Sequence, residues 1–231
     1  MKEKIFYSFV LIAAIITMVI LVGLYGKSGN TEATASDPGA ESSVLVAGLI
    51  EGTHYTVFEP FDPNMPDVSV VFWYGCPHCQ AFRSPVKEFA ERNANLTIKH
   101  RHSFMNERWL QDALFFYSAM QLENPNEISD AYFDAREKTA SHLDAKQVAG
   151  VLDTLGISIN DLKNKISSDV LLEKLEETSE FERHYQIKGV PAVIASGKYR
   201  LENGAFSSQE DMLRAAESLI KADQASLTMD N

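Results

Sequence analysis

The sequence predicts an α/β protein in which a long helical segment is inserted between the strands of one sheet. Six of the seven residues from Val68 to Tyr74 are β-branched or aromatic, as expected for a buried strand. Residues 106–187 contain helical periodicity only. A strand pattern returns at Gly189–Ala195, and a turn and a second short strand follow it. Strands on both sides of an all-helical stretch therefore define the fold class.

The first 24 residues predict a separate, membrane-directed segment. Ile5 to Leu24 carries no charged side chain and is about twenty residues long, enough to cross a bilayer as a helix. The lysines that flank this run favour a cytoplasmic N-terminus. Two interpretations are open: an uncleaved membrane anchor, or a signal peptide cleaved near Ala33-Thr34-Ala35. Both predict that the remainder of the chain is exported.

Residues 25–47 predict a flexible stalk, and the folded part begins after them. The stalk has too few large apolar side chains to form a core. We expect a sheet-containing domain built from residues 48–104 and 188–231, with residues 105–187 as its helical insertion. The formal net charge of −11 argues against nucleic-acid binding.

The elements of the folded part follow from periodicity and capping residues. We expect an edge strand within Leu49–Phe58, the core strand, a helix over Cys79–Arg92 and a strand within Asn95–Ser103. Five helices are expected in the insertion, over residues 109–120, 128–135, 148–155, 160–167 and 170–185. A hairpin at Ser196-Gly197 then joins two strands. Ser207 or Ser208 caps the last helix.

Several residues near the core strand are assigned to packing or to the surface. Phe72 to Tyr74 are expected in the core rather than on a binding surface. In the strand within Asn95–Ser103, we expect a solvated face for Lys99, Arg101 and His102. His100 has the opposite parity to Lys99 and Arg101, and we expect it in the core.

The two cysteines of the chain lie where the core strand meets the first helix. Cys76 and Cys79 are separated by Pro77 and His78, and proline is favoured at the first position of a helix. Cys76 would then lie at the helix N-terminus, where free N–H groups and the helix dipole lower the pKa of a thiol. A protonated His78 would add to this effect. A pKa about three units below neutral would stabilise the dithiol by about 4 kcal/mol, or roughly 90 mV.

Two other interpretations of the cysteine pair have less support. Half of a structural zinc site is disfavoured because such sites need four ligands, and the chain has only two cysteines and scattered histidines. An inert structural disulfide is disfavoured because so small a ring restrains the unfolded chain little. We therefore expect neither a metal ion nor a cofactor.

Four motifs occur in the order that is typical of one known family. They are Gly52-Thr53-His54-Tyr55, Cys76-Pro77-His78-Cys79, Gly189-Val190-Pro191-Ala192 and Gly197-Lys198-Tyr199. Together with the helical insertion and the closing helix, they make roughly residues 48–222 resemble the DsbA family of thiol:disulfide oxidoreductases. The resemblance implies a thioredoxin-like fold.

The resemblance also implies a role for each residue of the cysteine motif. Cys76 would be the nucleophile that forms a mixed disulfide with a substrate, and Cys79 would be the buried resolving thiol. His78 would tune the Cys76 thiolate, and Pro77 would belong to the same catalytic turn.

Substrates, partners and location are implied in the same way. Unfolded or reduced exported proteins would pair with the backbone of Val190, beside a cis-proline at Pro191. A DsbB-like membrane quinone reductase would re-oxidise the protein. We expect a monomer in the periplasm, tethered to the inner membrane by residues 5–24 if that segment is retained.

Three functions are compatible with these patterns. We prefer a protein dithiol oxidase that donates the Cys76–Cys79 disulfide to exported folding proteins, because Pro-His within the ring and Val before Pro191 resemble the oxidase members of the family. The first alternative is a membrane-tethered thiol reductase. The second is a non-catalytic holdase that binds unfolded exported chains.

Overall fold

The computed structural model describes residues 48–139, 141–166 and 169–229. None of the helices within these residues has both the length and the apolar composition of a membrane span. The predicted membrane segment at 5–24 and the predicted stalk at 25–47 lie outside the described residues. The expected division into residues 48–104 with 188–231 and an insertion at 105–187 stays a prediction.

A five-stranded mixed sheet forms the centre of the described chain, in the order β1-β5-β4-β2-β3. Its strands are β1 (Tyr55–Val57), β2 (Val68–Phe72), β3 (Ile98–His102), β4 (Ala192–Ala195) and β5 (Tyr199–Leu201). Strand β2 pairs in parallel with β3 and antiparallel with β4. All five residues of β2 are buried because strands flank it on both sides and helices cover both of its faces.

The helices occur in the predicted order, with bounds that differ by a few residues. They are α1 (Pro77–Arg92), α2 (Leu110–Ala119), α3 (Pro125–Glu137), α4 (Ala145–Thr154), α5 (Ile159–Ile166), α6 (Asp169–His184) and α7 (Gln209–Met229). Short 3₁₀ turns occur at Glu107–Trp109 and Asn203–Ala205. Ser208 caps α7, because its hydroxyl accepts a hydrogen bond from the Asp211 N–H at 3.0 Å.

Helix α1 presents a continuous apolar stripe to the sheet. Cys79, Phe82, Val86 and Phe89 recur at the spacing of a helical face, and all four are buried. Helix α7 packs on the same face of the sheet through residues such as Leu213. Burying a side chain of this size stabilises the fold by about 1.5 to 3 kcal/mol. Because Cys79 belongs to this stripe, its side chain points into the protein interior.

The other face of the sheet and the helical segment complete the core. Phe181 and Tyr185 of α6 pack against Val71 and Ile194 on the second face. Residues from α2 to α5 gather around Phe72 and the residues that follow it. The all-helical segment between β3 and β4 therefore packs against the end of β2 from which the cysteine motif continues.

The turn between β4 and β5 is the predicted hairpin. Ser196 and Gly197 both have positive φ angles, 51° and 64°, and the Lys198 N–H donates to the Ala195 carbonyl at 2.9 Å. This geometry is that of a type I′ turn. A Cβ atom at position 197 would lie 2.7 Å from the Met65 side chain, so glycine is required there for two independent reasons.

The expected faces of β3 were wrong for His100, Arg101 and His102, whereas Lys99 is exposed as predicted. Arg101 and His102 are buried, with 4% and 0% of their surface exposed, whereas His100 is exposed. Arg101 bonds Glu177 of α6 at 2.7 Å, and His102 packs on Phe72. Strand alternation assumes one dry and one wet face, but helices from the insertion cover both faces at the end of this strand.

Candidate active site

The cysteine motif forms the turn between β2 and α1. Cys76 is the N-cap of α1, in an extended conformation, and Pro77 occupies the first turn. The Cys79 N–H donates to the Cys76 sulfur at 3.4 Å. Both cysteines are free thiols and both are buried, with 8% and 3% of their surface exposed. The turn therefore directs helix N–H groups at one of its two sulfurs.

The Cys76 thiol ionises more easily than an ordinary cysteine, because its pKa is lowered to about 6. The largest cause is a hydrogen bond from the Cys79 thiol, which favours the Cys76 thiolate. Burial opposes the lowering, while the N–H groups of Cys79 and His78 and the charge of His78 add to it. The helix N-terminus and His78 act as the sequence predicts, but the leading contribution of Cys79 was missed.

The Cys79 thiol has the opposite behaviour. Burial raises its pKa well above the ordinary value, and its hydrogen bond to Cys76 raises it further. At neutral pH the pair therefore holds one anionic sulfur and one protonated sulfur. Thiol–disulfide exchange needs an attacking thiolate and a second thiol that stays protonated. The two cysteines that can supply them lie one helical turn apart.

The loop before β4 lies against the cysteine turn. The Val190–Pro191 peptide bond is cis, and the Cys76 sulfur is 3.5 Å from the Val190 carbonyl oxygen. Asn203 donates to the Pro191 carbonyl at 2.6 Å and holds the loop in place. Within the part of the chain that the structure describes, the Val190 N–H has no hydrogen-bond partner. All six predicted site residues are thus brought together here.

A buried polar cluster supports the turn from behind, and no sequence signal indicated it. Asp112 accepts hydrogen bonds from Trp73 Nε1 at 2.9 Å and from the Tyr132 hydroxyl at 2.7 Å. It also pairs with the Arg136 guanidinium at 3.4 Å. A Cβ atom at Gly75 would lie 2.4 Å from the Trp73 ring and 2.6 Å from Arg136. Glycine therefore lets this cluster approach the backbone next to Cys76.

One contact from the closing helix reaches the same turn. Gln209, at the start of α7, donates to the His78 carbonyl at 3.0 Å. The His78 side chain itself is exposed, so its ring is available to a molecule that approaches Cys76. The sequence predicted the helix that carries Gln209 but not this contact.

A cysteine pair with such unequal acidities, beside a cis-proline on a sheet of this topology, defines a thiol:disulfide oxidoreductase with a thioredoxin-like fold. Comparison with known proteins agrees with that class. Residues 67–216 match the model of the DSBA-like thioredoxin domain, and the chain belongs to this family.

A curated relative agrees with the family, and solved structures agree with the fold. The thiol:disulfide interchange protein DsbA of Pseudomonas syringae pv. tomato is 26% identical over 202 residues, which cover 80% of this chain and 94% of that protein. The crystal structure of Pseudomonas aeruginosa DsbA is similar with a TM-score of 0.66 and 24% identity, over 77% of this chain and 95% of that chain. Proteus mirabilis DsbA in complex with the non-covalently bound peptide PWATCDS is similar with a TM-score of 0.63 and 24% identity, over 78% of this chain and 98% of that chain.

Proposed function

We propose that this protein is a dithiol oxidase that donates the Cys76–Cys79 disulfide to exported folding proteins. The observation that carries the proposal is the lowered pKa of Cys76, which stabilises the reduced form and so makes the disulfide a better electron acceptor. The curated relatives named thiol:disulfide interchange protein DsbA support disulfide donation over the reductase and holdase alternatives.

The exchange begins at Cys76. A substrate thiolate attacks the Cys76 sulfur, the bond to Cys79 breaks, and the Cys79 sulfur leaves as a thiolate that takes up a proton. A second substrate thiolate then attacks the substrate sulfur of the mixed disulfide. Cys76 leaves as a thiolate, which the Cys79 thiol and the helix N–H groups stabilise. The substrate gains one disulfide, and the protein becomes a dithiol.

The loop at Val190 suits the binding of an extended chain. Its free N–H and its carbonyl lie beside the Cys76 sulfur, so a substrate segment can pair with this backbone while its cysteine reaches Cys76. The peptide in the Proteus mirabilis DsbA complex supports peptide binding in the family. We assign Pro191 the role of holding the loop against the cysteine turn and His78 that of stabilising the thiolate.

The wider setting is part of the proposal. The exchange would take place in the periplasm, and residues 5–24 would tether the domain to the inner membrane if they are retained. A DsbB-like membrane quinone reductase would return the dithiol to the disulfide. The working unit would be a monomer.

The redox equilibrium with glutathione tests the direction of electron flow. We expect a potential clearly more oxidising than that of thioredoxin, which is about −270 mV. A value near that of thioredoxin would instead support the reductase. The Cys76→Ala, Cys79→Ala double variant is the control for chemistry, because a holdase would keep its biological activity without either sulfur.

A further inference from the structure

A large cavity opens beside the buried cysteine and has no part in the exchange described above. Its volume is about 960 Å³, and its walls come from α1, β2 and β3 together with helices of the insertion. Cys79, Val70 and Phe72 line it on the sheet side. A cavity of this size that is partly lined by polar groups can hold water. It therefore connects the buried thiol to groups that Cys79 does not touch directly.

Re-oxidation of the dithiol requires that Cys79 lose a proton. The Cys79 thiol must become a thiolate before it can attack the Cys76 sulfur of a mixed disulfide. Burial opposes this ionisation and raises the pKa of Cys79. A base that can be reached from the cavity would remove the obstacle, and general bases typically accelerate such steps by about 10²- to 10⁴-fold.

Most of the charged or titratable groups that line the cavity are unsuited to this role. They are Arg83 and Lys87 of α1, Lys99 of β3, Tyr117 of α2, Asp130 of α3 and Lys174 of α6. The four cations carry no free lone pair, and Asp130 is bonded to Arg83 at 2.8 Å. The Tyr117 hydroxyl donates to the His102 carbonyl, and burial raises the Tyr117 pKa. None of them therefore combines a free lone pair with the basicity needed to take a proton from a buried thiol.

His100 is the remaining titratable lining group apart from Cys79 itself. It pairs in register with Val70, and its ring centroid is 6.1 Å from that of Phe72, which also lines the cavity. Within the described chain, the His100 ring makes no hydrogen bond. His100 is exposed as a residue, but the protein atoms around its ring partly desolvate the imidazole. This desolvation lowers the pKa of His100 below its usual value, and the nearby Asp130 charge raises it. The imidazole is therefore neutral at pH 7 and free to accept a proton.

We propose that His100 is the proton acceptor for Cys79 when the active-site disulfide re-forms, with water in the cavity joining the two side chains. The proton of the Cys79 thiol passes to the imidazole, which becomes an imidazolium. The Cys79 sulfur forms a bond to the Cys76 sulfur. The bond between Cys76 and the partner's sulfur breaks, and the partner leaves as a thiolate. The inference rests on the proposed exchange at Cys76, which supplies the mixed disulfide.

The test separates the two steps of oxidation by oxidised glutathione. The reduced protein is mixed with this disulfide, quenched in acid at intervals and analysed by mass, which resolves the Cys76–glutathione adduct from the closed disulfide. For His100→Gln we expect adduct formation within about twofold of the wild-type rate and ring closure slowed at least tenfold. His142→Gln, an exposed histidine that does not line the cavity, is the matched control and should change neither step.

The pH profile gives a readout that a purely structural role would not change. In the wild type, ring closure should rise with pH only until His100 is neutral, below about pH 6.5, and then level off. In His100→Gln it should rise about tenfold per pH unit between pH 5 and 8, because only the small thiolate fraction of Cys79 reacts. His100→Glu supplies another base and should restore the plateau.

The outcomes test the proton role of His100 and the exchange at Cys76 independently of each other. If His100→Gln keeps the wild-type rate and pH profile of ring closure, the proton role of His100 is overturned. The same holds if both histidine variants are equally slow or if His100→Glu restores nothing while its adduct step is normal. If the wild-type protein forms neither a Cys76 adduct nor the closed disulfide at neutral pH, the proposed exchange itself fails instead.

Discussion

Removing the Cys79 thiol tests the origin of the acidity of Cys76. The Cys79→Ala variant loses the hydrogen bond that contributes most to the lowered Cys76 pKa. A hydrogen bond to a charged group is worth about 1.5 to 3 kcal/mol, which corresponds to about one to two pH units. From a starting value of about 6, we therefore expect the pKa of Cys76 to rise to about 7 to 8 in this variant.

The measurement has a single signal and a matched control. Only one cysteine remains in Cys79→Ala, so the ultraviolet absorbance of the thiolate, or the rate of alkylation by iodoacetamide across pH, reports Cys76 alone. Cys79→Ser keeps a hydroxyl donor at the same place and should retain most of the lowering. If Cys79→Ala still titrates near the wild-type value, the helix N–H groups and His78 hold the thiolate and our assignment of the leading cause is wrong.

Three further predictions concern stability. The lowered Cys76 pKa should stabilise the reduced form by about 4 kcal/mol above pH 9, by about 1.4 kcal/mol at pH 7 and hardly at all below pH 6. The difference in melting temperature between the reduced and the oxidised protein should therefore become smaller as the pH is lowered. Asp112→Ala leaves Arg136 buried and unpaired, and should lower the free energy of unfolding in urea by about 3 to 5 kcal/mol; a loss under about 1 kcal/mol would contradict this. Gly197→Ala should cost at least about 1 kcal/mol, whereas Gly189→Ala, where a Cβ meets nothing within 4 Å, should cost clearly less.

The magnitude of the redox effect differs from the sequence-based expectation. A pKa three units below neutral would give about 4 kcal/mol at pH 7, but the structure holds the Cys76 pKa at about 6. The thiolate then stabilises the dithiol by about 1.4 kcal/mol at pH 7, or roughly 30 mV. The position of Cys76 at a helix N-terminus predicts that its pKa is lowered and that the dithiol form is therefore stabilised. Its size depends on burial, which opposes ionisation and is set by packing.

Several parts of the site follow from local sequence because they depend on a few neighbouring residues. Pro77 allows the helix to begin at once after Cys76, and the helical spacing of Phe82, Val86 and Phe89 turns Cys79 inward. The hairpin follows from a glycine that tolerates a positive φ angle. The position of Val190 beside Cys76, 114 residues away in sequence, followed only from the family resemblance.

Other features depend on which elements meet across the fold. The faces of β3 were predicted incorrectly because periodicity describes one strand, whereas burial of Arg101 and exposure of His100 depend on helices that lie elsewhere in the chain. The cluster at Asp112 joins α2 and α3 to the cysteine turn, and the partners of Asp112 lie 20 to 39 residues away from it in sequence.

The sequence by itself determined the fold class, the order of elements and the position of both cysteines at the start of α1, since backbone preferences and capping act within a few residues. Only the tertiary structure decided how acidic Cys76 is, what holds its turn and which histidine reaches the cavity beside Cys79. Those properties arise from desolvation and from contacts between distant segments, and both exist only once the chain is packed.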